Sequence, residues 1–259
     1  MKVVVLCGGQ GTRLREETEV KPKPMVEIGE MPILWHIMKT YAHCGFDDFV
    51  LCLGYKGKVI KEFFYNYEML TGDFTVDMGA GRIDMYPKHA EKNWKVTLVD
   101  TGLHAMTGAR VKRIERFIDS DIFLLTYGDG VTDLDIRKVV DFHQAHGCIG
   151  TVTGVCPPSR YGELLIRGDQ VVSFNEKPDD DVSSISGGYF VFDRRFFEYL
   201  SEDEDCILER DPMRKLVDDG QLKVFNHPGF WQCMDTYRDH KYLNDLWETN
   251  RAAWKVWDD

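Results

Sequence analysis

The stretch Val3-Val4-Val5-Leu6-Cys7-Gly8-Gly9-Gln10-Gly11-Thr12-Arg13-Leu14 decides the fold, and Lys21-Pro22-Lys23-Pro24-Met25 follows it closely. The apolar run predicts a buried strand, and the glycines predict a turn whose backbone N–H groups can contact phosphate. Arg13 offers a planar cation suited to phosphate oxygens, and Lys23 offers a second cation between two stiffening prolines. Together these features predict a polyphosphate site directly after a strand, and hence a chain that handles a nucleotide.

Two better-known phosphate motifs do not fit this stretch. A P-loop requires the pattern G-x-x-x-x-G-K-[ST], which the residues after Gly8 do not provide. A dinucleotide fingerprint requires G-x-G-x-x-G, but Leu14 stands at the third glycine position. The glycines alone also allow a simpler interpretation, a tight turn with an exposed arginine, and the Lys-Pro-Lys-Pro segment argues against it.

Composition limits the class of protein and its partners. The 259 residues, 43% of them hydrophobic and 29% charged, are enough for one large α/β domain. A formal charge of −11 argues against nucleic acid as a partner, because such binding calls for a basic surface. Neither a membrane-length apolar run nor a secretory signal is present, so we expect a cytoplasmic protein without a membrane partner.

The seven cysteines form no C-x-x-C pair, which argues against a disulfide framework or a zinc site. Cys7 lies beside the glycines and Cys233 lies near Asp235. A catalytic thiol is conceivable at either position, but small buried residues are the expected role for both.

Strand and helix patterns alternate along the first part of the chain. The alternation predicts an α/β fold with a doubly wound, mostly parallel, Rossmann-like sheet. In such sheets ligands lie at the carboxyl ends of strands, so the glycine turn and Asp129 are expected to share one crevice. The predicted strands are residues 3–6, 48–53, 123–127 and 150–155, and the predicted helices are residues 33–43, 58–64 and 136–146.

The rest of the chain is more mixed. Short strands over residues 164–166, 171–175 and 189–192 predict a small antiparallel extension. The tail over residues 243–257 contains Trp247, Trp254 and Trp257. Two interpretations stay open for this tail: a terminal helix packed on the core, or a contact between subunits, where tryptophan is favoured.

Several motifs, in order along the chain, resemble the signature of the sugar-nucleotide pyrophosphorylases, which join a nucleoside triphosphate to a sugar 1-phosphate. Within that family the chain looks most like the glucose-1-phosphate cytidylyltransferase branch, through residues 20–25, 99–102, 106–108 and 229–232. The motifs that carry the family resemblance are the glycine turn, Lys21-Pro22-Lys23-Pro24-Met25, Tyr127-Gly128-Asp129-Gly130, Tyr161-Gly162-Glu163-Leu164, Glu176-Lys177-Pro178, Ser186-Gly187-Gly188-Tyr189-Phe190 and Trp231-Gln232-Cys233-Met234-Asp235-Thr236.

The resemblance implies the reaction: the cytidylyl group of CTP passes to α-D-glucose 1-phosphate, giving CDP-glucose and pyrophosphate by direct displacement with Mg²⁺ as cofactor. It also implies a homo-oligomer and a role in deoxysugar and polysaccharide synthesis. One domain over residues 1–259 would comprise a nucleotide-binding part (1–150), a sugar-binding part (151–240) and a tail (241–259). Base choice stays open between CTP and UTP or dTTP, and the other class of function is a catalytically silent regulatory subunit.

Site residues follow from the same resemblance, position by position. Catalytic roles are implied for Arg13, Lys23 and Asp129, and Mg²⁺ ligation for Asp129 and Asp235. Lys21 is then a solvated surface cation, and Arg110 is favoured over Lys112 and Arg113. The implied nucleotide contacts are Leu6, Gly8, Gly9, Gln10, Gly11, Thr12, Arg13, Lys23, Thr107, Gly108, Arg110 and Gly128, and the implied sugar contacts are Gly162, Glu176, Lys177, Gly188 and Tyr189.

Overall fold

A computed structural model describes residues 1–88, 90–91, 93–157, 163–167, 170–175 and 184–258, with the side chains of residues 15–16, 163–167 and 171–175 excepted. The strands are β1 (Lys2–Leu6), β2 (Glu27–Ile28), β3 (Met31–Pro32), β4 (Asp48–Leu53), β5 (Asp73–Asp77), β6 (Arg82–Tyr86), β7 (Lys95–Asp100), β8 (Ile122–Tyr127), β9 (Gly130–Thr132), β10 (Gly150–Val155), β11 (Glu163–Arg167), β12 (Gln170–Asn175), β13 (Ile185–Asp193), β14 (Leu222–His227) and β15 (Trp231–Cys233). The helices are α1 (Arg15–Thr18), α2 (Ile33–His43), α3 (Gly57–Tyr65), α4 (Tyr67–Thr71), α5 (Thr107–Arg113), α6 (Ile136–His146), α7 (Asp211–Asp218) and α8 (Tyr237–Glu248), with short 3₁₀ turns at Thr12–Leu14, Lys23–Met25, Glu115–Phe117 and Arg194–Tyr199.

The main sheet has seven strands in the order β14-β10-β13-β8-β1-β4-β7. Strands β8, β1, β4 and β7 are parallel neighbours, and β10 is parallel to β14. The parallel strands are joined through helices, because a parallel crossover needs a long connection. The predicted α/β class with a mostly parallel sheet is confirmed.

One predicted element belongs elsewhere. Residues 189–192 were expected in the antiparallel extension, but they form part of β13, inside the main sheet and antiparallel to both β8 and β10. Aromatic and β-branched residues suit an extension and a sheet centre alike, so sequence pattern could not distinguish the two. The extension among the described residues is the β11–β12 hairpin alone.

Strand β1 shows why the sheet is buried on both faces. Val3 and Val5 belong to the core layer that packs against α2, α6 and the C-terminal tail, whereas Val4 and Leu6 belong to the layer that includes α5 and α7. Successive side chains of a strand point to opposite faces, so an uninterrupted apolar run requires cover on both sides.

The tail packs on this core. Trp254 and Trp257 are buried, and Trp254 stacks against Phe230 within the same chain. Trp247 contacts the buried ring of His36 edge-on. Of the two interpretations left open, the packed terminal segment describes these rings. No helix in the described part of the chain has the length and apolar character needed to cross a bilayer.

Parallel register brings the functional segments to one edge of the sheet. Leu6, the last residue of β1, lies opposite Cys52 on one side and Tyr127 on the other. The loops that follow β1, β4, β7 and β8 therefore emerge side by side, where α/β sheets bind ligands. The glycine turn and Asp129 share this edge, as expected.

Candidate active site at the strand ends

A glycine loop follows β1 and lies against the loops after β4 and β7. Gly11 has a φ of +62°, a conformation that favours glycine. A Cβ at Gly8 would lie 2.3 Å from the guanidinium carbon of Arg110, while one at Gly9 would meet nothing within 4 Å. Gly8 is therefore packed from below, and Gly9 presents its backbone to open space.

Arg110 supports this loop from beneath. It is buried, and its guanidinium donates hydrogen bonds to the carbonyl oxygens of Gly8 (3.1 Å), Leu53 (3.0 Å) and Gly102 (2.8 Å). Further bonds reach Thr101 Oγ1 and the carbonyl of Leu103. The side chain therefore joins the ends of β1, β4 and β7.

Lys23 lies in the 3₁₀ turn that the Lys-Pro-Lys-Pro segment forms. Its Nζ is 2.6 Å from Asp129 Oδ2 and 2.6 Å from Asp235 Oδ1. Arg13 Nη1 lies 2.8 Å from the other oxygen of Asp235. These two cations and two carboxylates form one cluster, named the charged cluster below, and their formal charges cancel.

Two pieces of secondary structure bring the two aspartates together. Asp129 lies between β8 and β9, and its carbonyl accepts a hydrogen bond from Met234 N beyond β15. Asp235 precedes α8, where Thr236 and Asp239 form a capping box, and its backbone N–H donates to the Asp239 carboxylate. The β9–β15 pairing and this helix cap fix the distance between segments that are more than 100 residues apart in sequence.

Protonation in the cluster follows from these contacts. Burial disfavours charge on Lys23, but the Asp129 carboxylate and hydrogen bonds to both aspartates raise its pKa. Burial likewise acts against Asp235, but the bond and charge of Lys23, together with Arg13, lower its pKa. Both shifts favour the charged forms of Lys23 and Asp235 at neutral pH.

Two cavities flank the charged cluster. The loop cavity, about 250 Å³, lies beside the glycine loop, and the sheet cavity, about 300 Å³, lies between β13 and β15. Arg13, Tyr127, Asp129 and Asp235 line both, so they form a shared wall. Lys23 faces the loop cavity, and Trp231 faces the sheet cavity.

A larger groove of about 960 Å³ lies elsewhere, between α3, α4 and β7. Its walls are mainly aromatic and aliphatic, with Phe64, Tyr67 and Trp94 among them. Size alone therefore does not identify the site of chemistry, because the convergent charged groups lie at the smaller pair of cavities.

The predicted nucleotide contacts divide into two groups. Gly8 and Gly108 are packed on Arg110 and Cys206 instead of lining the loop cavity, and Gln10 is exposed outside its wall. The predicted contacts that do line this cavity are Leu6, Gly9, Gly11, Thr12, Arg13, Lys23, Thr107, Arg110 and Gly128. Their contact with a nucleotide stays a prediction.

The predicted sugar contacts are described only in part. Gly162, Glu176 and Lys177 lie outside the described residues. Gly188 and Tyr189 line the sheet cavity; Gly188 has a φ of +77° and packs against the ring of Tyr127. The hydroxyl of Tyr189 donates to the carbonyl of Gly130, so the side chain braces β13 against β9.

Sequence reasoning missed Glu209 and assigned no role to Trp231. Glu209 accepts hydrogen bonds from Thr107 Oγ1 (2.7 Å) and from the hydroxyl of Tyr127, and thereby links two walls of the loop cavity. Trp231 Nε1 donates to the carbonyl of Gly187 at 2.7 Å. Trp231 stood in a motif that was singled out, whereas no local pattern marks Glu209, which lies in a loop before α7.

The positions of Lys21, Cys7 and Cys233 bear on the alternative roles that the sequence left open for them. Lys21 pairs with Glu27 and Glu17 away from both cavities, as a surface cation would. Cys7 is buried in the core, and burial raises the pKa of its thiol. Burial also raises the pKa of Cys233, so neither side chain is an ionised nucleophile at neutral pH.

Asp129 and Asp235 offer oxygen ligands suited to Mg²⁺. Their carboxylate oxygens lie within 4.8 Å of one another, together with Cys233 Sγ. Mg²⁺ in nucleotide enzymes is bound through one or two carboxylates plus phosphate oxygens and water, so the donor set fits. Lys23, which now bridges both carboxylates, would have to release at least one of them.

Comparison with known proteins identifies the family to which the chain belongs. A family model for nucleotidyl transferase matches residues 2–255. The chain is 52% identical over 259 residues to the glucose-1-phosphate cytidylyltransferase of Salmonella typhimurium and equally similar to that of Salmonella typhi, covering each chain completely. A crystal structure of UDP-glucose pyrophosphorylase complexed with UDP-glucose shares the fold, with a TM-score of 0.69 at 16% identity over 96% of this chain and 99% of that one. The chain therefore belongs to the nucleotidyl transferase family, among the sugar-nucleotide pyrophosphorylases.

Proposed function

We propose that this enzyme transfers the cytidylyl group of CTP to α-D-glucose 1-phosphate and releases pyrophosphate, giving CDP-glucose. The observation that carries the proposal is the charged cluster, which lies on the wall shared by two cavities at the carboxyl edge of the sheet. Full-length identity of 52% to a glucose-1-phosphate cytidylyltransferase supports the choice of both substrates.

The reaction makes one phosphorus–oxygen bond and breaks another. A phosphate oxygen of glucose 1-phosphate attacks the α-phosphorus of CTP, and the bond from that phosphorus to the oxygen of the β-phosphate breaks. The attacking oxygen is already anionic, so no general base is needed. The obstacle is repulsion between anions, and positioned cations are the remedy.

Arg13 and Lys23 supply the cations. Arg13 has a side-chain exposure of 75%, so its guanidinium can turn towards the β- and γ-phosphates. Lys23 is only 11% exposed and lies where the reacting phosphates would meet. The backbone of Gly9 and Gly11 is the proposed cradle for the triphosphate.

The two carboxylates form ion pairs with the cations that we expect to contact phosphate. Asp129 and Asp235 both neutralise Lys23, which is mostly buried, and Asp235 also pairs with the exposed Arg13. The same carboxylates would hold Mg²⁺, which when bound supplies positive charge at the phosphate oxygens. The ammonium of Lys23 then becomes available to phosphate.

Pyrophosphate release with glucose 1-phosphate and Mg²⁺, measured in parallel with CTP, UTP, dTTP and ATP, tests the proposal. We expect turnover with CTP well above the other three, and none after chelation of divalent ions. Galactose 1-phosphate and mannose 1-phosphate serve as controls for the sugar.

Other outcomes assign the chain differently. A preference for UTP or dTTP would retain the chemistry and overturn the base. Silence with every nucleotide, combined with CDP-glucose binding in a calorimetric titration, would instead support a regulatory subunit.

A further inference from the structure

Cys233 lies beside the charged cluster and has no role in the proposed phosphoryl chemistry. Its Sγ and one carboxylate oxygen from each of Asp129 and Asp235 all lie within 4.8 Å of one another. Cys233 faces Gly130 in the β9–β15 pair, next to Asp129, so backbone hydrogen bonding fixes the thiol beside both carboxylates. The three side chains form a metal-ligand set of mixed type.

The mixture matters because sulfur and oxygen select different ions. Mg²⁺ binds oxygen and gains nothing from a thiol, whereas Zn²⁺ and Cd²⁺ favour thiolate. One sulfur and two carboxylate oxygens occupy three positions of a tetrahedral site and leave the fourth for water or phosphate. The same pair of aspartates can thus serve two kinds of cation.

We propose that Cys233, Asp129 and Asp235 form a binding site for a thiophilic divalent cation such as Zn²⁺ or Cd²⁺, which competes with Mg²⁺ for the two carboxylates. On binding, the thiol of Cys233 releases its proton to solvent and a sulfur–metal bond forms, with no change of oxidation state. The competition with Mg²⁺, but not the binding itself, rests on the function proposed above.

Charge balance distinguishes the two cations. Lys23 and Arg13 already neutralise the two aspartates, so either divalent ion requires Lys23 to release at least one carboxylate and also needs further negative charge. Mg²⁺ obtains that charge from the triphosphate, and the thiophilic ion obtains part of it from the thiolate of Cys233. We therefore expect the thiophilic ion to bind in the absence of nucleotide.

Cadmium titration of the full-length chain, without nucleotide, tests this site. The ultraviolet charge-transfer band of a cadmium–thiolate bond and the release of protons both report binding without reference to catalysis. In C233S the charge-transfer band that reports this site is expected to disappear. The dissociation constant for cadmium at the site is expected to rise by at least about tenfold. In D129N and D235N the affinity is expected to fall while the band survives at higher cadmium.

Cys148 provides the matched control. It is a partly buried thiol whose contacts are with His146 and Gly220, before β10 and therefore at the opposite edge of the sheet from the charged cluster. C148S should leave the band of this site unchanged. Thermal melting of C233S and of a second variant, C233A, verifies that both are folded, and cadmium NMR of the unaltered chain reports sulfur ligation without substitution.

The outcomes separate this proposal from the proposed function. A band of unchanged affinity in folded C233S or C233A overturns the site, and so does a cadmium resonance that shows oxygen ligands alone. Loss of the band in C233S with retention in C148S supports it, whichever nucleotide the enzyme uses. Mg²⁺ with CTP should then displace cadmium; failure to do so would count against the shared carboxylates.

Discussion

The loop cavity and the sheet cavity share one wall but are built in different ways. Most of the loop cavity comes from a short continuous segment, the end of β1 and the turns up to Pro24. The sheet cavity is assembled from three separate stretches of chain: the adjacent strands β8 and β9 (residues 122–132), β13 (185–193) and β15 (231–233). A phosphate-binding wall can therefore be encoded locally, whereas this second wall exists only once the strands have paired.

Their supports differ as well. Beneath the loop cavity, the buried guanidinium of Arg110 joins three strand ends through carbonyl oxygens. The sheet cavity is braced by single hydrogen bonds between its strands, from Trp231 to Gly187 and from Tyr189 to Gly130. A substitution in one half should accordingly leave substrate binding in the other half intact.

Lys23→Ala is expected to have the largest effect, because Lys23 lines the loop cavity and bridges the two carboxylates of the wall that both cavities share. Loss of a positioned charge at a transferring phosphoryl group should lower kcat about 10²–10³-fold. Steady-state pyrophosphate release measures it. K21A removes a lysine two residues away that lies outside both cavities, and it should stay within about threefold of the parent rate. Equal losses in the two variants would contradict the assignment.

Arg110→Lys should damage the loop half alone. Lysine retains the charge but cannot reach carbonyls on three strand ends, and each unsatisfied buried carbonyl costs about 1–3 kcal/mol. We expect a loss of about 3 kcal/mol in unfolding free energy, and a KM for CTP raised about tenfold with little change for glucose 1-phosphate. Urea unfolding and two-substrate kinetics measure both.

Arg113→Lys is the matched control for Arg110, because Arg113 lies on the same helix and donates to the carbonyls of Thr101 and Glu202. It should destabilise the chain less and leave the KM for CTP unchanged. If R110K and R113K raised that KM alike, a specific support for the glycine loop would be ruled out.

Trp231→Phe should weaken the sheet half. The ring is retained but the hydrogen bond to Gly187 is lost, which is worth about 1 kcal/mol and corresponds to a rise of about fivefold in the KM for glucose 1-phosphate. The KM for CTP should not move. W257F alters a buried indole whose N–H has no hydrogen-bond partner among the described residues, and it should change neither KM. A shift in the KM for CTP in W231F would mean that the halves are coupled.

The smallest effect concerns acid stability. The pKa of Asp235 is lowered in the folded chain, so its stabilising contribution is present above the ordinary pKa of aspartate, about 3.9, and is lost as the pH falls through the folded value. D235N should therefore lower stability by about 1 kcal/mol at pH 7 and by much less near pH 3. Urea midpoints across this range measure the difference, and an equal gap at both ends would refute the ionic origin.

Prediction from sequence succeeded where a pattern is local. The helix over Ile33–His43 and the strands over Asp48–Leu53 and Gly150–Val155 have the predicted bounds, because their apolar periodicity follows directly from burial of one or two faces. It failed for the position of β13, since nothing in the strand itself specifies its neighbours in the sheet.

The site residues likewise divide into those that local motifs identify and those that they do not. The glycine loop, Lys23 and Asp129 were identified from motifs, and they meet at one edge because parallel strands end together. Arg110 lines the loop cavity, as the predicted nucleotide contact requires, but the hydrogen bonds from its guanidinium to carbonyl oxygens under the loop were not predicted; the contact itself stays a prediction. Glu209 was not identified at all, because its partners Thr107 and Tyr127 are distant in sequence.

By itself the sequence determined the alternating α/β architecture, the phosphate-binding character of the first 25 residues and the types of side chain available for chemistry. Backbone propensity, periodicity and charge are properties of short segments, and they can be read directly. Only the tertiary structure decided that Lys23 bridges two aspartates, that Cys233 lies beside them and that β13 lies between β8 and β10 in the main sheet. The first two facts depend on the pairing of β9 with β15, about 100 residues apart, and the third depends on the pairing of β13 with β8, about 60 residues apart; both pairings form only when the whole core packs.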